Sequence, residues 1–227
     1  AFCLFSSKSK IEGEVKELAK SFPLSYIAQR FVTDSDGRTV STLSDIESDL
    51  EGHMISHAAR SISIKVGIGI TRGCFKVFIG KGYFTVDCLI EYLYESPLFA
   101  ADKKLILTQG LKYYLNEEPI AALHILVPQV ENALRNILVV NKKDILKPNR
   151  NGGYDLKLFD ELLRDETVIS VLGKDLVFHF KVLFIDQLGF NIRHNLCHAL
   201  SKDQDMRMEN ADLVFQSLLI LSQMKVK

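Results

Sequence analysis

The chain has 227 residues and a mass of 25.7 kDa, which suits one large domain or two small ones. Hydrophobic residues make up 47% and charged residues 25%, proportions of an ordinary soluble globular protein that exclude collagen-like and disordered classes. The 28 Lys and Arg residues balance 28 Asp and Glu residues, so any site for a polyanion has to be a local patch.

Helical periodicity in the first half of the chain is found in four stretches, 10–21, 45–65, 84–93 and 103–115. Between the first two stretches, β-branched residues flank the turn sequence Asp34-Ser35-Asp36-Gly37, which predicts a small β-hairpin within 27–43. A glycine-rich segment, 67–82, follows the strand-like sequence Ile62-Ser63-Ile64-Lys65-Val66. We expect a helical first half that includes this hairpin.

The second half, from 117 to 227, is predicted to be an all-α bundle. Its strongest helix, 117–140, opens with Glu117-Glu118-Pro119, and Pro128 inside it predicts a kink. A loop over 141–154 follows. Four more stretches have helical spacing, 156–164, 176–185, 190–200 and 211–224. We therefore predict a mainly α fold with two regions, 1–116 and 117–227, that can share one core.

Cysteine usage and hydropathy indicate the compartment. The four cysteines form no C-x-x-C pair, which argues against a disulfide framework and a zinc ribbon and favours a reducing cytoplasm: Cys3, Cys74, Cys88 and Cys197. No apolar run approaches the ~20 residues of a membrane span. The apolar residues 1–5 also lack the basic segment that precedes the apolar stretch of a signal peptide. We expect neither a signal peptide nor membrane insertion.

Three weaker patterns favour ordinary structural roles. Gly67-Ile68-Gly69-Ile70 with Gly73 differs from the G-x-G-x-x-G phosphate fingerprint, because the third glycine comes one position late and no β-α alternation follows. His53 and His57 share a helix face but lack a third metal ligand, which indicates a solvated face. His124 and His179 lie in apolar stretches and are predicted to be core or boundary residues.

Basic residues are concentrated in the predicted loop after residue 140. Asp144 is the only acidic residue near these four, which are Lys142, Lys143, Lys147 and Arg150. A solvated turn explains such a set, and contact with the phosphates of RNA is the alternative.

The most informative segment is 191–198, Asn-Ile-Arg-His-Asn-Leu-Cys-His. On a helix, Ile192, Leu196, Ala199 and Leu200 would form an apolar stripe, with a polar face opposite that comprises His194, Asn195 and His198. Arg193 and His198 are roughly 140° apart on an ideal helix, so they meet only if the arginine wraps around or the helix end is irregular. Arginine, imidazole and amide groups suit phosphate chemistry. A zinc site with Cys197 would lack a fourth ligand, so we predict no metal and no cofactor.

The segment 193–198 resembles the R-x4-6-H motif of the HEPN superfamily. Residues 121–135, Ala-Ala-Leu-His-Ile-Leu-Val-Pro-Gln-Val-Glu-Asn-Ala-Leu-Arg, resemble a helix of a bacterial domain of unknown function in that superfamily. That domain is related to the one in the endoplasmic reticulum membrane-associated RNA degradation protein. Residues 189–193, Gly-Phe-Asn-Ile-Arg, resemble its lead-in to the motif. The resemblance extends from Ser96 to about Leu221. It departs at Cys197-His198-Ala199, where Ala-His-Gly is usual, and the replaced glycine puts activity rather than fold in doubt.

The resemblance implies a HEPN-like helical bundle that forms a homodimer through the R-x4-H face. Two motifs would then make one metal-independent endoribonuclease site, in which Arg193 stabilises the scissile phosphate and His198 assists proton transfer as the RNA 2′-hydroxyl attacks. His194 and Asn195 would position the substrate. Glu131 would orient His198 and Arg135 would balance Glu131, or these two residues form a structural ion pair.

This resemblance also implies the biological setting and its alternatives. The enzyme would cleave RNA as a toxin or phage-defence effector, with an antitoxin or defence protein as partner. The first alternative is a non-catalytic RNA- or nucleotide-binding module, because fold does not determine chemistry. The second is a protein-interaction module in which the polar face is the rim of an interface.

Overall fold

The computed structural model describes residues 6–33 and 36–224 of the chain. This part contains twelve α-helices and two small antiparallel hairpins, so the predicted mainly α fold is confirmed. In chain order the elements are α1 (Lys8–Ser21), α2 (Leu24–Ile27), β1 (Arg30–Thr33), β2 (Thr39–Leu43), α3 (Leu50–Gly67), α4 (Ile70–Gly80), α5 (Val86–Tyr94), α6 (Lys104–Leu115), α7 (Pro119–Val140), β3 (Leu146–Pro148), β4 (Tyr154–Leu156), α8 (Phe159–Arg164), α9 (Glu166–Leu172), α10 (Lys174–Phe184), α11 (Ile192–Cys197) and α12 (Met208–Ser222).

The first half forms the predicted hairpin and two unpredicted helices, the short α2 and α4. Strands β1 and β2 pair antiparallel, from Arg30 opposite Leu43 to Thr33 opposite Thr39; Asp34 and Ser35 of the predicted turn lie outside the described residues. The strand-like sequence 62–66 belongs to α3, whose first turn is capped by the Asp49 side chain. The glycine-rich segment forms α4, entered through Gly69 at a φ of 76°. No helix was predicted for this segment, and α4 corrects that prediction.

The second half is built around α7. This helix runs from Pro119 through Pro128, which lies on its exposed face, to Val140 and buries an apolar stripe. The predicted loop 141–154 is instead a hairpin, in which β3 and β4 pair from Leu146 opposite Leu156 to Pro148 opposite Tyr154. The prediction of a purely helical second half is therefore wrong at this point. Helix α9 is also unpredicted.

A single hydrophobic core runs across the predicted boundary near Asn116. Helix α6 packs along α7 on either side of this residue, and α12 packs against α7, α5 and α4. Helix α10 contacts α1 and α3 in addition to its neighbours in the second half. Leu111 before the boundary and Leu126 after it are both fully buried in the same cluster. Burial of apolar surface in this shared core is the main force that holds the two halves together.

No helix within the described residues combines the length and the apolar character that crossing a membrane requires. Three of the four cysteines are exposed and have free thiols, and Cys3 lies outside the described residues.

Candidate functional site

The site is built on the short helix α11, which a close turn places against α10. Gly189 makes this turn possible, since a Cβ atom there would lie 2.1 Å from the Val182 carbonyl oxygen. The next residue, Phe190, donates its backbone N–H to the same carbonyl at 2.8 Å. Buried Ile192 and Leu196 then anchor α11 on the core. The predicted apolar stripe is confirmed for these two residues, whereas Ala199 and Leu200 are exposed beyond the helix end.

Arg193 is held by a carboxylate from α7. Its Nε donates to Glu131 Oε2 at 2.9 Å, and Arg135 Nη2 donates to Glu131 Oε1 at 3.0 Å. The three side chains are mostly buried, with 13% exposure for Glu131, 16% for Arg135 and 21% for Arg193. Within the described residues, the two terminal nitrogens of Arg193 have no protein acceptor. They remain available for an anion.

Arg193 and His198 reach the same surface because the helix ends irregularly. Helix α11 stops at Cys197, His198 has a φ of −102°, and Ala199 has the left-handed φ of 54°. The ring of His198 lies against that of His194, with centroids 4.5 Å apart. Neither ring has a hydrogen-bond partner in the part of the chain that the structure describes. Burial, then the positive charges of His198 and Arg193, lower the pKa of His194.

These side chains line one open cleft of about 450 Å³, which we call the α11 cleft. Its lining residues come from α8, α10, α11 and the flanking segments: Leu158, Phe159, Asp160, Arg164, Lys181, Ile185, Asp186, Arg193, His194 and His198. Three basic side chains face two carboxylates, an excess of one positive charge that becomes three when both imidazoles are protonated. The geometry therefore suits a phosphate group beside Arg193 and the histidine pair.

Seven of the ten lining residues were not predicted from the sequence, and two of these seven are basic. Arg164 is an exposed side chain of α8 and pairs with Asp160 at 2.7 Å, while Lys181 on α10 binds Glu51 at 2.9 Å and Asp186 at 3.7 Å. Both sit in amphipathic helices where a basic residue on the polar face is common, so no sequence signal distinguishes them.

The other predicted site residues lie elsewhere. Asn195 does not line the cleft; its Oδ1 accepts a hydrogen bond from Asn191 Nδ2 at 3.3 Å, which stabilises α11. Glu131 contacts Arg193 and Arg135, and no hydrogen bond joins it to His198 within the described residues. The predicted orientation of His198 by Glu131 is therefore replaced by a tether on Arg193.

The four basic residues predicted to contact RNA lie apart from the α11 cleft. None of them lines it, and one of them, Lys147, donates to Glu161 at 2.7 Å. Lys142, Lys143 and Arg150 are exposed, in keeping with a solvated turn.

The remaining histidines have separate environments. His53 is buried, so its predicted solvated face is wrong, and His57 pairs with Glu14 at 3.0 Å. His124 is exposed, which overturns its predicted core or boundary position, whereas His179 is buried as predicted. Burial and then the charge of Lys65 lower the pKa of His179 to about 4. No group of three His, Cys, Asp or Glu side chains is placed to hold a metal ion within residues 6–33 and 36–224.

Comparison of this chain with protein families, with curated proteins and with solved structures finds no match. The candidate site therefore stands on its own geometry.

Proposed function

We propose that this protein is a metal-independent endoribonuclease of the HEPN type, with Arg193 and His198, joined by the neighbouring His194, as its catalytic residues. The observation that carries the proposal is the α11 cleft, in which an arginine and two imidazoles present unused hydrogen-bonding groups to one space of about 450 Å³. A phosphodiester is the common biological group that an arginine fork and a histidine pair would both engage.

The arginine would bind the scissile phosphate. Glu131 accepts only from the Nε of Arg193, which fixes the guanidinium in orientation and leaves both terminal nitrogens available to a ligand. As negative charge grows on the phosphate oxygens in the transition state, these donors stabilise it. Arg135 lies behind Glu131 and holds the second carboxylate oxygen. Glu131 and Arg135 are positioning residues in this scheme.

The two imidazoles would carry the protons. The lowered pKa of His194 favours its neutral form, which accepts the proton of the RNA 2′-hydroxyl as that oxygen attacks phosphorus. Protonated His198 then donates to the 5′-oxygen as the phosphorus–oxygen bond breaks. The products are a 2′,3′-cyclic phosphate and a 5′-hydroxyl, and no metal ion or cofactor takes part.

The wider setting of the proposal follows from the HEPN resemblance. Two copies would pair through the faces that carry Arg193 and His198, as a cytoplasmic homodimer. RNA is the substrate, and a toxin or phage-defence role with an antitoxin or defence partner fits such an enzyme. Arg164 and Lys181 at the edge of the cleft would then attract the neighbouring phosphates of the RNA.

One departure favours a second candidate function, a non-catalytic RNA- or nucleotide-binding module. Ala199 stands directly after His198 where the related motif has glycine, and it holds a left-handed φ of 54°. A strained residue beside a catalytic group is compatible with a site that binds RNA without cleaving it.

Cleavage of a mixed RNA pool in EDTA tests the proposal. We expect cyclic phosphate ends from the wild-type protein, and a loss of about 10²–10⁴-fold in rate for Arg193→Ala and for His198→Ala. His124→Ala is the matched control, because His124 is exposed on α7 outside the cleft. Circular dichroism and light scattering establish that all variants fold and associate alike.

Two other outcomes would favour the alternative functions over catalysis. Absence of cleavage by the wild type, with RNA binding weakened by Arg193→Ala, would overturn catalysis in favour of the binding module. If the wild type neither binds nor cleaves RNA, and Arg193→Ala binds a protein partner as tightly as the wild type does, the interaction module is favoured instead.

A further inference from the structure

A second basic pocket lies in the first half of the molecule, away from the α11 cleft. It encloses about 310 Å³, within the size range of small-molecule sites, and we call it the Arg30 pocket. Helices α1, α2 and α3 and strand β1 supply its lining: Leu18, Phe22, Ser25, Tyr26, Arg30, His53, Ser56, His57 and Arg60.

Arg30 is placed in this pocket without a carboxylate partner among the described residues. Its Nη2 donates to His53 Nδ1 at 3.2 Å, and its guanidinium carbon lies 5.8 Å from the centre of the Tyr26 ring. The Nε of Arg30 is buried and has no hydrogen-bond partner within the described residues. Burying part of a charged group in this way is unfavourable unless an opposite charge compensates it.

His53 cannot supply that compensation. Its Nε2 lies 2.9 Å from the Ser44 carbonyl oxygen, which only accepts, so this nitrogen carries the proton and Nδ1 accepts from Arg30. The imidazole is neutral in this arrangement. It fixes the arginine fork in position and leaves its charge unpaired.

A second unpaired cation lines the same pocket. Arg60, on α3, forms no ion pair or hydrogen bond with any described residue, and none of the residues that line the pocket is acidic. Glu14 does not line the pocket, and its carboxylate is paired with His57. Two arginines without acidic partners in one concave site are suited to a phosphate dianion.

The rest of the lining suits a nucleoside. Phe22 is 61% exposed and has no ring partner among the described residues, so one face of its ring is open to stacking. The Ser25 and Ser56 hydroxyls line the same space and can bond to sugar hydroxyls. Inorganic phosphate alone would leave the aromatic part of the pocket unfilled.

We propose that the Arg30 pocket binds a nucleoside 5′-monophosphate, with the phosphate on Arg30 and Arg60 and the base on Phe22. This ligand site is independent of the ribonuclease proposal, since none of its lining residues belongs to the α11 cleft.

Isothermal titration calorimetry of the full chain tests this, with AMP, UMP, adenosine and inorganic phosphate as separate probes. We expect AMP or UMP to bind, and adenosine and phosphate each to bind at least about tenfold more weakly. Arg60→Gln should weaken nucleotide binding by about tenfold or more, because charge-assisted hydrogen bonds to phosphate are lost. Arg60 has no partner in the part of the chain that the structure describes, so this change should leave the fold intact.

Two matched variants locate the binding. Arg150→Gln removes an exposed arginine of the β3–β4 hairpin, and Arg193→Gln removes the arginine of the α11 cleft; both should bind the nucleotide like the wild type. Phe22→Ser should reduce the affinity for AMP and leave that for phosphate unchanged. Failure of both nucleotides to bind, phosphate binding as tight as that of AMP, or loss of binding in Arg193→Gln would each overturn the proposal.

Discussion

Two arginines, each held by a carboxylate, are used in opposite ways in this protein. Arg72 on α4 donates from Nη1 to Asp212 at 3.1 Å and from Nη2 to Glu117 at 2.7 Å. Its guanidinium carbon also lies 5.7 Å from the centre of the Tyr114 ring. Among the described residues, Arg193 donates only from Nε, to Glu131, and its side chain lines the α11 cleft. Arginine therefore joins neighbouring elements through ion pairs in one place and has donors available for an anion in the other.

Burial explains the difference between these two regions. Asp212 is fully buried on α12 and accepts from the Tyr114 hydroxyl at 2.6 Å as well as from Arg72. Burial, and then the charge of Asp212, raise the pKa of Tyr114 well above its usual value, so the hydroxyl keeps its proton and donates. This interior cluster uses its donors internally. The α11 cleft leaves its donors open, which is the arrangement expected where function rather than stability decides.

The largest expected effect is on the interior cluster. Replacing Asp212 with alanine removes the acceptor of both Arg72 and Tyr114, and we expect a loss of about 3–5 kcal/mol in the free energy of unfolding. Urea denaturation followed by circular dichroism measures it. Glu117→Ala is the control, since this exposed partner of the same arginine should contribute less than about 1 kcal/mol. Equal losses in the two variants would show that Asp212 has no special role.

The interior of the protein and the α11 cleft also differ in their histidines: His179 is buried, whereas His194 and His198 line the open cleft. Burial holds the pKa of His179 at about 4 in the folded protein, below the 6.5 of an ordinary histidine. The unfolded chain therefore binds a proton that the folded protein excludes between these values. Stability is fully present above pH 6.5 and is lost as the pH falls toward 4, by about 3 kcal/mol in total.

Denaturation at pH 7 and at pH 4.5 measures this effect. His179→Leu should flatten the pH dependence, whereas His124→Leu, at an exposed position, should leave it unchanged. A wild-type slope that persists in His179→Leu would assign the effect to other groups.

A smaller effect is expected where Glu131 tethers Arg193. Glu131→Gln removes the charge between two arginines, and we expect a loss of about 2 kcal/mol in the free energy of unfolding, typical of hydrogen bonds to charged groups. RNA affinity should fall as well, because Arg193 loses its fixed orientation. Glu118→Gln, an exposed neighbour of α7, is the control. Unchanged stability together with unchanged RNA affinity would mean that the tether positions nothing.

Much of the fold could be predicted because long helices carry their own signal. Helix α7 has an apolar stripe over six turns and a proline at its start, and both features are local. Helix α4 was missed since its glycines lower helix propensity, and contacts distant in sequence stabilise it. Phe75 on α4 packs edge-on against Phe215 of α12, with ring centres 5.3 Å apart. Such a contact has no local signature.

The candidate site was predictable in part for the same reason. Arg193 and His198 are five residues apart, so a motif can place them together. Glu131 is 62 residues from Arg193, and only the packing of α11 on α7 decides which side chain its carboxylate meets. The end of α11 also could not be predicted, because it depends on the left-handed backbone of Ala199.

The smallest expected effect concerns this same residue. An alanine at a φ of 54° holds its Cβ close to the following carbonyl oxygen, which costs roughly 1–2 kcal/mol, whereas glycine adopts this conformation freely. The greater freedom of glycine in the unfolded chain offsets about 0.4–1 kcal/mol of that difference. We therefore expect Ala199→Gly to raise the free energy of unfolding by about 0.5–1 kcal/mol.

Ala28→Gly is the matched control, because Ala28 has an ordinary φ of −76° and the same substitution there should lower stability. A loss of stability in Ala199→Gly would contradict the left-handed backbone. RNA cleavage by Ala199→Gly separates two views of the alanine. An unchanged rate means that alanine already holds His198 in its working position, whereas a large increase means that the α11 cleft of this chain is tuned away from catalysis and toward binding.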